Sequence, residues 1–332
     1  MRREGLVRTG ALVFSALFAL GVQGQEAGRF VIDGSTGVMP LAAALVEAYQ
    51  ERNPGITIEM GPGLGPGARM QALAEGRIDI ALASHGLRLD DIARQGMSAN
   101  EIARTAVVFA VNASVPVVNL SDQEICDIYS GKTSSWKTLG AAEMDIAPRT
   151  RPDSEVDAEV VRANIRCLTD LQMPATVKIM PKTGDMAKEL SETAGAIGMT
   201  TMTVVEQSRG KIRALSINGI APSPENVERA AYSLVRKSFL VTRATPPPAV
   251  AQFLQFVRDP AGEKVIRANG AIPVRVPEVP PNGPVLAPIR AYAPTSRPAG
   301  GGSIACFARR CSMMQSESSG PSATLRPPGS DS

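Results

Sequence analysis

The sequence has 332 residues, of which 44% are hydrophobic, 4% aromatic and 20% charged. Its formal net charge of +3 comes from the two ends, because residues 1–24 and residues 276–332 each contribute +2 while the segment between them is near −1. This charge balance excludes the concentrated basic face that nucleic-acid binding requires. The central segment is long enough for two lobes, each with its own hydrophobic core.

The first 24 residues have the pattern of a secretory signal peptide. Arg2, Arg3 and Arg8 form a basic start, and an apolar stretch follows from Ala11 to Val22. This stretch is too short to span a bilayer as a helix, and no cysteine near its end could carry a lipid. We therefore expect a signal peptide over residues 1–24 and a soluble, periplasmic mature protein.

The stretch Asp33–Pro40 joins a short apolar strand to an amphipathic helix. Ser35, Thr36 and Gly37 therefore fall at the start of that helix, where free N–H groups and the helix dipole can hold an oxyanion. A simpler alternative is that Ser35 or Thr36 only caps the helix. Taken alone, the stretch favours the cap.

Two further strands end in loops of the same kind. The second strand runs into a glycine-rich turn that contains Gly65 and Gly67, and the third strand, Ile78–Ala83, ends at Ser84 and His85. Repetition of strand, loop and helix predicts a parallel sheet. Ligands of such sheets lie outside the carboxyl ends of the strands, so these loops should converge. For the single histidine, the pattern alone favours a solvated turn residue.

The second half of the chain alternates strands and helices again. An apolar strand over residues 104–111 is expected to cross between lobes, and the helix after it is capped by Ser121. Trp136, the only tryptophan, is expected to pack in the second lobe. Pro248 and Pro260 each open a final helix, and we expect both helices to cover the first sheet.

The four cysteines are unevenly placed. Cys126 and Cys167 lie in the body of the chain, whereas Cys306 and Cys311 lie near its end. A disulfide between Cys126 and Cys167 fits an exported protein, and two buried free thiols are an equal alternative. The chain has no C-x-x-C motif and one histidine, so we expect neither a zinc site nor another cofactor.

Several motifs resemble the phosphate-binding periplasmic component of ABC transporters. The most specific block runs from Asn112 to Gly140 and includes Ser135-Trp136-Lys137. Upstream, Gly34-Ser35-Thr36 is similar to the same family, and Gly195-Ala196-Ile197-Gly198 continues the similarity downstream. The resemblance covers most of the central segment.

The resemblance implies an α/β fold, the type II periplasmic binding protein. Two lobes, each a mixed, mainly parallel sheet flanked by helices, would be joined by two crossing segments. Residues 28–110 with 238–275 would form lobe 1, and residues 111–237 would form lobe 2. Residues 276–332 hold 10 of the 26 prolines and are expected to be a disordered tail. Such a monomer would close over an oxyanion and present it to an ABC permease in the inner membrane.

Carried over by position, the resemblance also implies an anion site built from loops of both lobes. The first loop provides hydroxyl groups and N–H groups, the following loops provide N–H groups and polar side chains, and a loop of the second lobe provides an arginine. The residues expected to bind the ligand are Ser35, Thr36, Gly37, Gly65, Gly67, Ser84, His85, Arg151 and Ser154.

Two of these loops depart from the family pattern. Pro66 stands where the family usually has a serine, and it offers neither a hydroxyl nor an N–H group. His85 stands where the family often has Asp or Arg. The loop Arg151–Asp157 keeps the arginine but brings three carboxylates near an anion site, so some of them must point away or accept a proton from the ligand. Ser154 is expected to cap the following helix and to offer a hydroxyl.

The leading hypothesis is a solute-binding protein that captures phosphate or a related tetrahedral oxyanion for an ABC importer, without enzymatic activity. One alternative is a ligand-dependent sensor or interaction protein with a degenerate anion site, for which Pro66 and the altered loop are the evidence. A phosphatase is less favoured, because His85 lies in no nucleophile motif and acids at a helix start usually complement the helix dipole.

Overall fold

A computed structural model of the chain describes residues 28–84 and 87–274. The described part begins with the predicted repetition of strand, loop and helix. Strand β1, Arg29–Gly34, lies between β2, Thr57–Met60, and β3, Ile80–Ala83, and pairs with both in parallel. The predicted parallel sheet is therefore confirmed. The predicted signal peptide and the predicted tail lie outside the described residues.

The described part alternates strands with helices along most of its length, except that β5 follows β4, β10 follows β9 and α10 follows α9 directly. The further strands are β4, Met97–Asn112; β5, Asn119–Leu120; β6, Ala147–Thr150; β7, Lys178–Ile179; β8, Ala196–Thr201; β9, Ile212–Ala214; β10, Ser216–Ile217; β11, Val235–Arg243; and β12, Ala271–Pro273. The α-helices are α1, Met39–Arg52; α2, Pro66–Ala74; α3, Leu89–Arg94; α4, Asp122–Tyr129; α5, Val156–Asn164; α6, Thr183–Glu192; α7, Met202–Gln207; α8, Pro224–Glu228; α9, Pro248–Arg258; and α10, Pro260–Ala268. Short 3₁₀ helices cover Trp136–Leu139 and Arg166–Leu168.

Two long strands, β4 and β11, connect the two halves of the sheet. The first part of β4 pairs with β11 and β12, and its last part pairs with β8 and β9, always antiparallel. Strand β11 also pairs with β3, so one sheet runs in the order β2-β1-β3-β11-β4-β8-β6-β7. Strand β6 pairs in parallel with β7 and β8. The predicted strand over residues 104–111 is longer than expected because both halves of the sheet supply it with partners.

Helices cover both faces of the first half of the sheet. On one face, the ring of Tyr49 in α1 lies 5.3 Å from Phe253 and 5.2 Å from Phe256 of α9, and Phe30 of β1 lies 5.8 Å from Phe253. On the other face, α2 and α3 pack through a separate hydrophobic cluster. The prediction that the last two helices cover the first sheet is confirmed, because their apolar faces belong to the cluster of β1 and β3.

The second half of the sheet has its own hydrophobic core. Trp136 is fully buried in it and donates from Nε1 to the Gly195 carbonyl at 2.9 Å, so its predicted packing is confirmed. Ser121 caps α4 in a capping box, also as predicted. Cys126 and Cys167, which are 41 residues apart in sequence, form a disulfide. The predicted disulfide is therefore present, and the alternative of two free thiols is excluded.

Two predictions about helix starts are wrong. Ser35 and Thr36 do not cap α1, because its N-cap is Val38, which makes no side-chain cap hydrogen bond. The Ser35 carbonyl, rather than a hydroxyl, accepts the N–H groups at this helix start. Ser154 does not cap α5 either, since a turn that ends at Glu155 delays the helix by one residue and makes Glu155 the N-cap.

Candidate functional site

The loops after β1 and β2 face the loop after β6 across a cleft of about 590 Å³. Ser35, Thr36 and Gly65 line one side, and Ser154 and Glu155 line the other. Four of the residues expected from the sequence therefore meet at one cavity. Parallel strands bring them together because the loops at their carboxyl ends emerge at the same edge of the sheet.

Arg151 joins the two sides of this cleft from a position that is 1% exposed. Its Nη1 donates to the Met180 carbonyl at 2.7 Å, and its Nη2 donates to Glu155 Oε2 at 3.1 Å. The same Nη2 lies 3.5 Å from the hydroxyl of Thr36, in the loop after β1. The guanidinium is thus held by its own loop and reaches the first loop across the cleft.

Gly37 packs against a second buried guanidinium, that of Arg236 on β11. A Cβ atom at position 37 would lie 2.0 Å from Arg236 Nη1, so glycine alone leaves room for this side chain. Arg236 Nη1 donates to Asp157 Oδ1 at 2.5 Å, and Nη2 donates to Ser35 Oγ at 3.4 Å. Both members of the Arg236–Asp157 pair are 2% exposed. Arg236 and Asp157 were missed as site residues because their partners are distant in sequence.

A third buried guanidinium, Arg69 of α2, lines the cleft and was also missed. Within residues 28–84 and 87–274 it has no carboxylate at ion-pair distance, and its buried Nε has no hydrogen-bond partner. Burial lowers the pKa of the guanidinium, Glu155 opposes this shift, and Arg236 adds to it. The sequence held a signal, since Arg69 lies three and four residues before the buried Ala72 and Leu73, on the buried face of the helix.

The three arginines differ in whether a carboxylate pairs with them, and three acids, Asp91, Glu155 and Glu159, also line the cleft. Arg151 and Arg236 each have a carboxylate partner, and Arg69 has none among the described residues. The Nε groups of all three are buried without a partner there. Burying a charge is costly unless it is paired and hydrogen-bonded, so the arrangement is suited to an anionic ligand.

The carboxylates of the loop after β6 do not repel an anion as the sequence alone suggested, because each of them has an arginine partner. The pairs are Asp153–Arg162, Glu155–Arg151 and Asp157–Arg236. Of these acids, Glu155 alone belongs to the lining of the cleft that the structure describes.

Asp33 organises the second loop, a function that sequence reasoning missed. Its Oδ1 accepts the N–H of Gly34 at 2.7 Å and the N–H of Gly63 at 2.9 Å. A Cβ atom at Gly61 would lie 2.1 Å from Asp33 Oδ2, so the loop packs tightly around this carboxylate. The buried Asp33 side chain thereby positions the start of α2 and Arg69.

Gly65 and Pro66 form the start of α2 beside the cleft. Gly65 is the N-cap, and Pro66 is the first helical residue, where the missing N–H is tolerated. Both line the cavity, whereas Gly67 lies in the first helical turn and is not among its described lining residues. Pro66 therefore fits the local fold without offering a ligand donor.

The third strand contributes less to the described cleft. Ser84 is fully buried, and its hydroxyl donates to the Lys237 carbonyl at 2.6 Å, which ties β3 to β11. His85 lies outside the described residues. The expected contribution of this loop to a ligand thus stays a prediction.

Across the described part of the chain, no group of three or more His, Cys, Asp or Glu side chains could hold a metal ion. None of the helices described there has the length and the apolar character needed to cross a membrane. The described lining of the cleft offers guanidinium, ammonium and hydroxyl donors together with the carboxylates of Asp91, Glu155 and Glu159.

Comparisons with known proteins identify the family of this chain. A sequence model of the PBP superfamily domain matches residues 21–260. The chain belongs to the PBP superfamily. One relative is the phosphate-binding protein PstS of Bacillus subtilis, 26% identical over 256 residues that cover 76% of this chain and 83% of the relative. Protein SphX of Synechococcus elongatus is 25% identical over 291 residues, covering 82% and 86%.

Solved structures show the same fold. A protein of Clostridium perfringens, solved with bound phosphate and assigned as a phosphate ABC transporter substrate-binding protein, is similar with a TM-score of 0.62 at 24% identity, over 74% of this chain and 100% of that chain. An ABC-type phosphate transport receptor of Vibrio cholerae has a TM-score of 0.52 at 22% identity, over 73% and 99%. The predicted two-lobed α/β fold of the PBP superfamily is confirmed.

Proposed function

We propose that this member of the PBP superfamily is a periplasmic solute-binding protein that captures phosphate or a related tetrahedral oxyanion for an ABC importer. The observation that carries the proposal is Arg69, a buried cation without a carboxylate partner in the described part of the chain, at a cleft that Ser35 and Thr36 also line. An anion would supply the missing charge and accept hydrogen bonds from the guanidinium. The names of relatives such as PstS support the same ligand class.

The proposed ligand set combines charged and neutral donors. Arg69 and Arg151 supply positive charge, and the hydroxyl groups of Ser35, Thr36 and Ser154 supply neutral hydrogen bonds. In the loop after β1, the Ser35 N–H donates to the Leu82 carbonyl and the Val38 N–H to the Ser35 carbonyl, whereas the N–H groups of Thr36 and Gly37 have no protein acceptor among the described residues and are available to oxygen atoms of a ligand. This mixture disperses the charge of an oxyanion over several donors.

We propose that lobe 1 comprises residues 28–110 and 238–275 and that lobe 2 comprises residues 111–237. Separate hydrophobic clusters support a division into two lobes, and on β4 the change from one cluster to the other falls between Ala103 and Ala106, a few residues before the proposed boundary. Across the cleft, Lys182 Nζ donates to the carbonyl of residue 62 at 3.3 Å. In the proposed cycle, a monomer closes on its ligand through such contacts and is then recognised by a membrane permease.

The proposal assigns binding rather than catalysis to the cleft. Each carboxylate of the loop after β6 is already engaged by an arginine, so none is set apart as a base for phosphate-ester hydrolysis. A degenerate site is also disfavoured, because the unpaired Arg69 remains directed at the cavity that a ligand would fill. The basic and apolar pattern of residues 1–24 supports export to the periplasm.

Calorimetric titration of the purified protein, after removal of copurified anions, tests this function. We expect phosphate to bind the wild-type protein, and Arg69→Gln to weaken binding by about tenfold to a hundredfold, the effect of losing a charged hydrogen bond. The matched control is Arg77→Gln, which removes an exposed arginine whose partner Glu75 is also outside the described lining of the cavity, and it should leave the affinity unchanged. Absence of binding to phosphate, sulfate, molybdate and tungstate alike would reject the function.

A further inference from the structure

The cleft is much larger than an inorganic tetrahedral anion. Its volume of about 590 Å³ falls within the range of roughly 300–1,000 Å³ that is typical of sites for organic molecules. A water molecule occupies about 30 Å³ in the liquid, and a tetrahedral oxyanion only a few times that volume. An inorganic anion at Arg69 would therefore leave most of the cavity unfilled.

The remaining part of the cavity has an apolar wall. Leu64, Met70, Leu87 and Ile92 line it from one lobe, and Val156 lines it from the other. The four residues of the first group pack against or belong to the hydrophobic cluster beneath α2 and α3. This packing holds the wall in place and leaves parts of Leu64, Met70 and Leu87 facing the cleft. A wall of this kind stabilises an apolar group that leaves water.

Helix α2 brings the cation and the apolar wall into one cavity. Arg69 and Met70 are consecutive residues of this helix, and Pro66 lines the cavity one turn earlier. Pro66 has no N–H group and no polar side chain, so this part of the wall offers no hydrogen-bond donor to a ligand oxygen. Burying an oxygen there without a donor is costly, whereas burying carbon is favourable.

We infer that the ligand is an organic phosphate monoester or a phosphonate, with its phosphoryl group at Arg69 and an apolar substituent against Met70 and Leu87. The inference rests on the proposed function and narrows its ligand class. Because the exposed polar residues Gln95 and Lys182 also line the cavity, the apolar part of its wall is limited, and the substituent is small, comparable to one phenyl ring or a short alkyl chain.

Calorimetric titration of the full protein with phenyl phosphate, phenylphosphonate and inorganic phosphate tests the inference. We expect both phenyl compounds to bind about tenfold more tightly than phosphate, because the ring buries apolar surface against the wall. Met70→Gln, and separately Leu87→Gln, should remove most of this preference and leave the affinity for inorganic phosphate within about twofold. The matched control is Leu89→Gln, because Leu89 is 55% exposed and is not a described lining residue.

The possible outcomes distinguish a failure of this inference from a failure of the proposed oxyanion-binding function. If phosphate binds and neither phenyl compound binds more tightly, the inference is overturned and the proposed function stands. If none of the three compounds binds, the inference is overturned, and the function is rejected as well if sulfate, molybdate and tungstate also fail to bind. A selective loss of the phenyl preference in either variant supports the inference, and an equal loss for all three ligands in both variants overturns it.

Discussion

The two faces of the cleft handle buried charge in different ways. The α5 face, formed by Arg151 with Glu155 and by Asp157 with its partner Arg236, pairs each cation with a carboxylate. The α2 face, which carries Arg69, leaves its cation without a carboxylate in the described part of the chain. Pairing fixes the side chains of one face and nearly cancels their charge, so the attraction for an anion is concentrated on the other face.

The largest expected effect comes from breaking the most buried pair of the α5 face. Asp157→Ala would leave Arg236 buried without its carboxylate, and we expect it to lower the free energy of unfolding by about 3–5 kcal/mol. Urea denaturation measures this loss. Replacing both residues, as Asp157→Ala with Arg236→Met, should recover most of it because the uncompensated charge is then gone. A loss as large in the double variant would contradict the explanation.

A smaller loss of stability is expected where the loop after β1 contacts the Arg236–Asp157 pair. Gly37→Ala would place a Cβ atom 2.0 Å from Arg236 Nη1 and force the guanidinium away from Asp157. We expect the free energy of unfolding to fall by about 1–3 kcal/mol, the usual range for overpacking. The matched control is Gly55→Ala, since a Cβ atom there meets nothing within 4 Å. Equal effects of the two substitutions in denaturation would rule out the steric argument.

A smaller change in ligand affinity is expected from removing the charge of Glu155, whose side chain is 33% exposed. Glu155→Gln removes a negative charge near both Arg151 and Arg69, so we expect phosphate to bind about threefold more tightly at low salt. The gain should shrink as salt is added, and stability should change by less than about 1 kcal/mol. Weaker binding in calorimetry would instead show that this carboxylate contacts the ligand directly.

The smallest effect is expected for an ion pair that lines neither face. The hydrogen bond from Arg149 Nε, at 2.8 Å, holds the pKa of the Glu189 carboxyl below its ordinary value of 4.5, although burial opposes the shift. A lowered pKa means that the stabilisation is present above pH 4.5 and is lost as the pH falls through the folded-state pKa. Glu189→Gln should therefore cost about 0.5 kcal/mol at pH 7 and almost nothing at acid pH. Phosphate affinity should not change, and a change would link this pair to the cleft.

Much of the fold could be predicted from the sequence because its signals are local. The serine cap at Ser121 and the helix-opening Pro248 and Pro260 act within a few residues of their own positions. The first strands follow from apolar runs separated by glycine-rich turns. Helix starts without such a signal were misjudged, as at Ser35 and Ser154, since turns of the backbone shifted the true N-caps.

The candidate site was predictable only in part, for the same physical reason. The strand end before Ser35 and Thr36 predicted that these residues lie at a ligand-binding edge, and the family resemblance predicted Arg151; the structure places Ser35 and Thr36 at the cleft and Arg151 within 3.5 Å of the Thr36 hydroxyl. Arg236 was missed because its contacts with Asp157 and Ser35 span 79 and 201 residues of sequence.

The sequence by itself determined the order of strands and helices and the edge of the sheet at which ligand-binding loops gather. It also determined how many charges those loops carry. Tertiary structure alone decided which charges neutralise one another and that Arg69 stays unpaired in the described part of the chain. The reason is that periodicity and capping act over a few residues, whereas the energy of a charge depends on its distance in space to every other charge and on its burial.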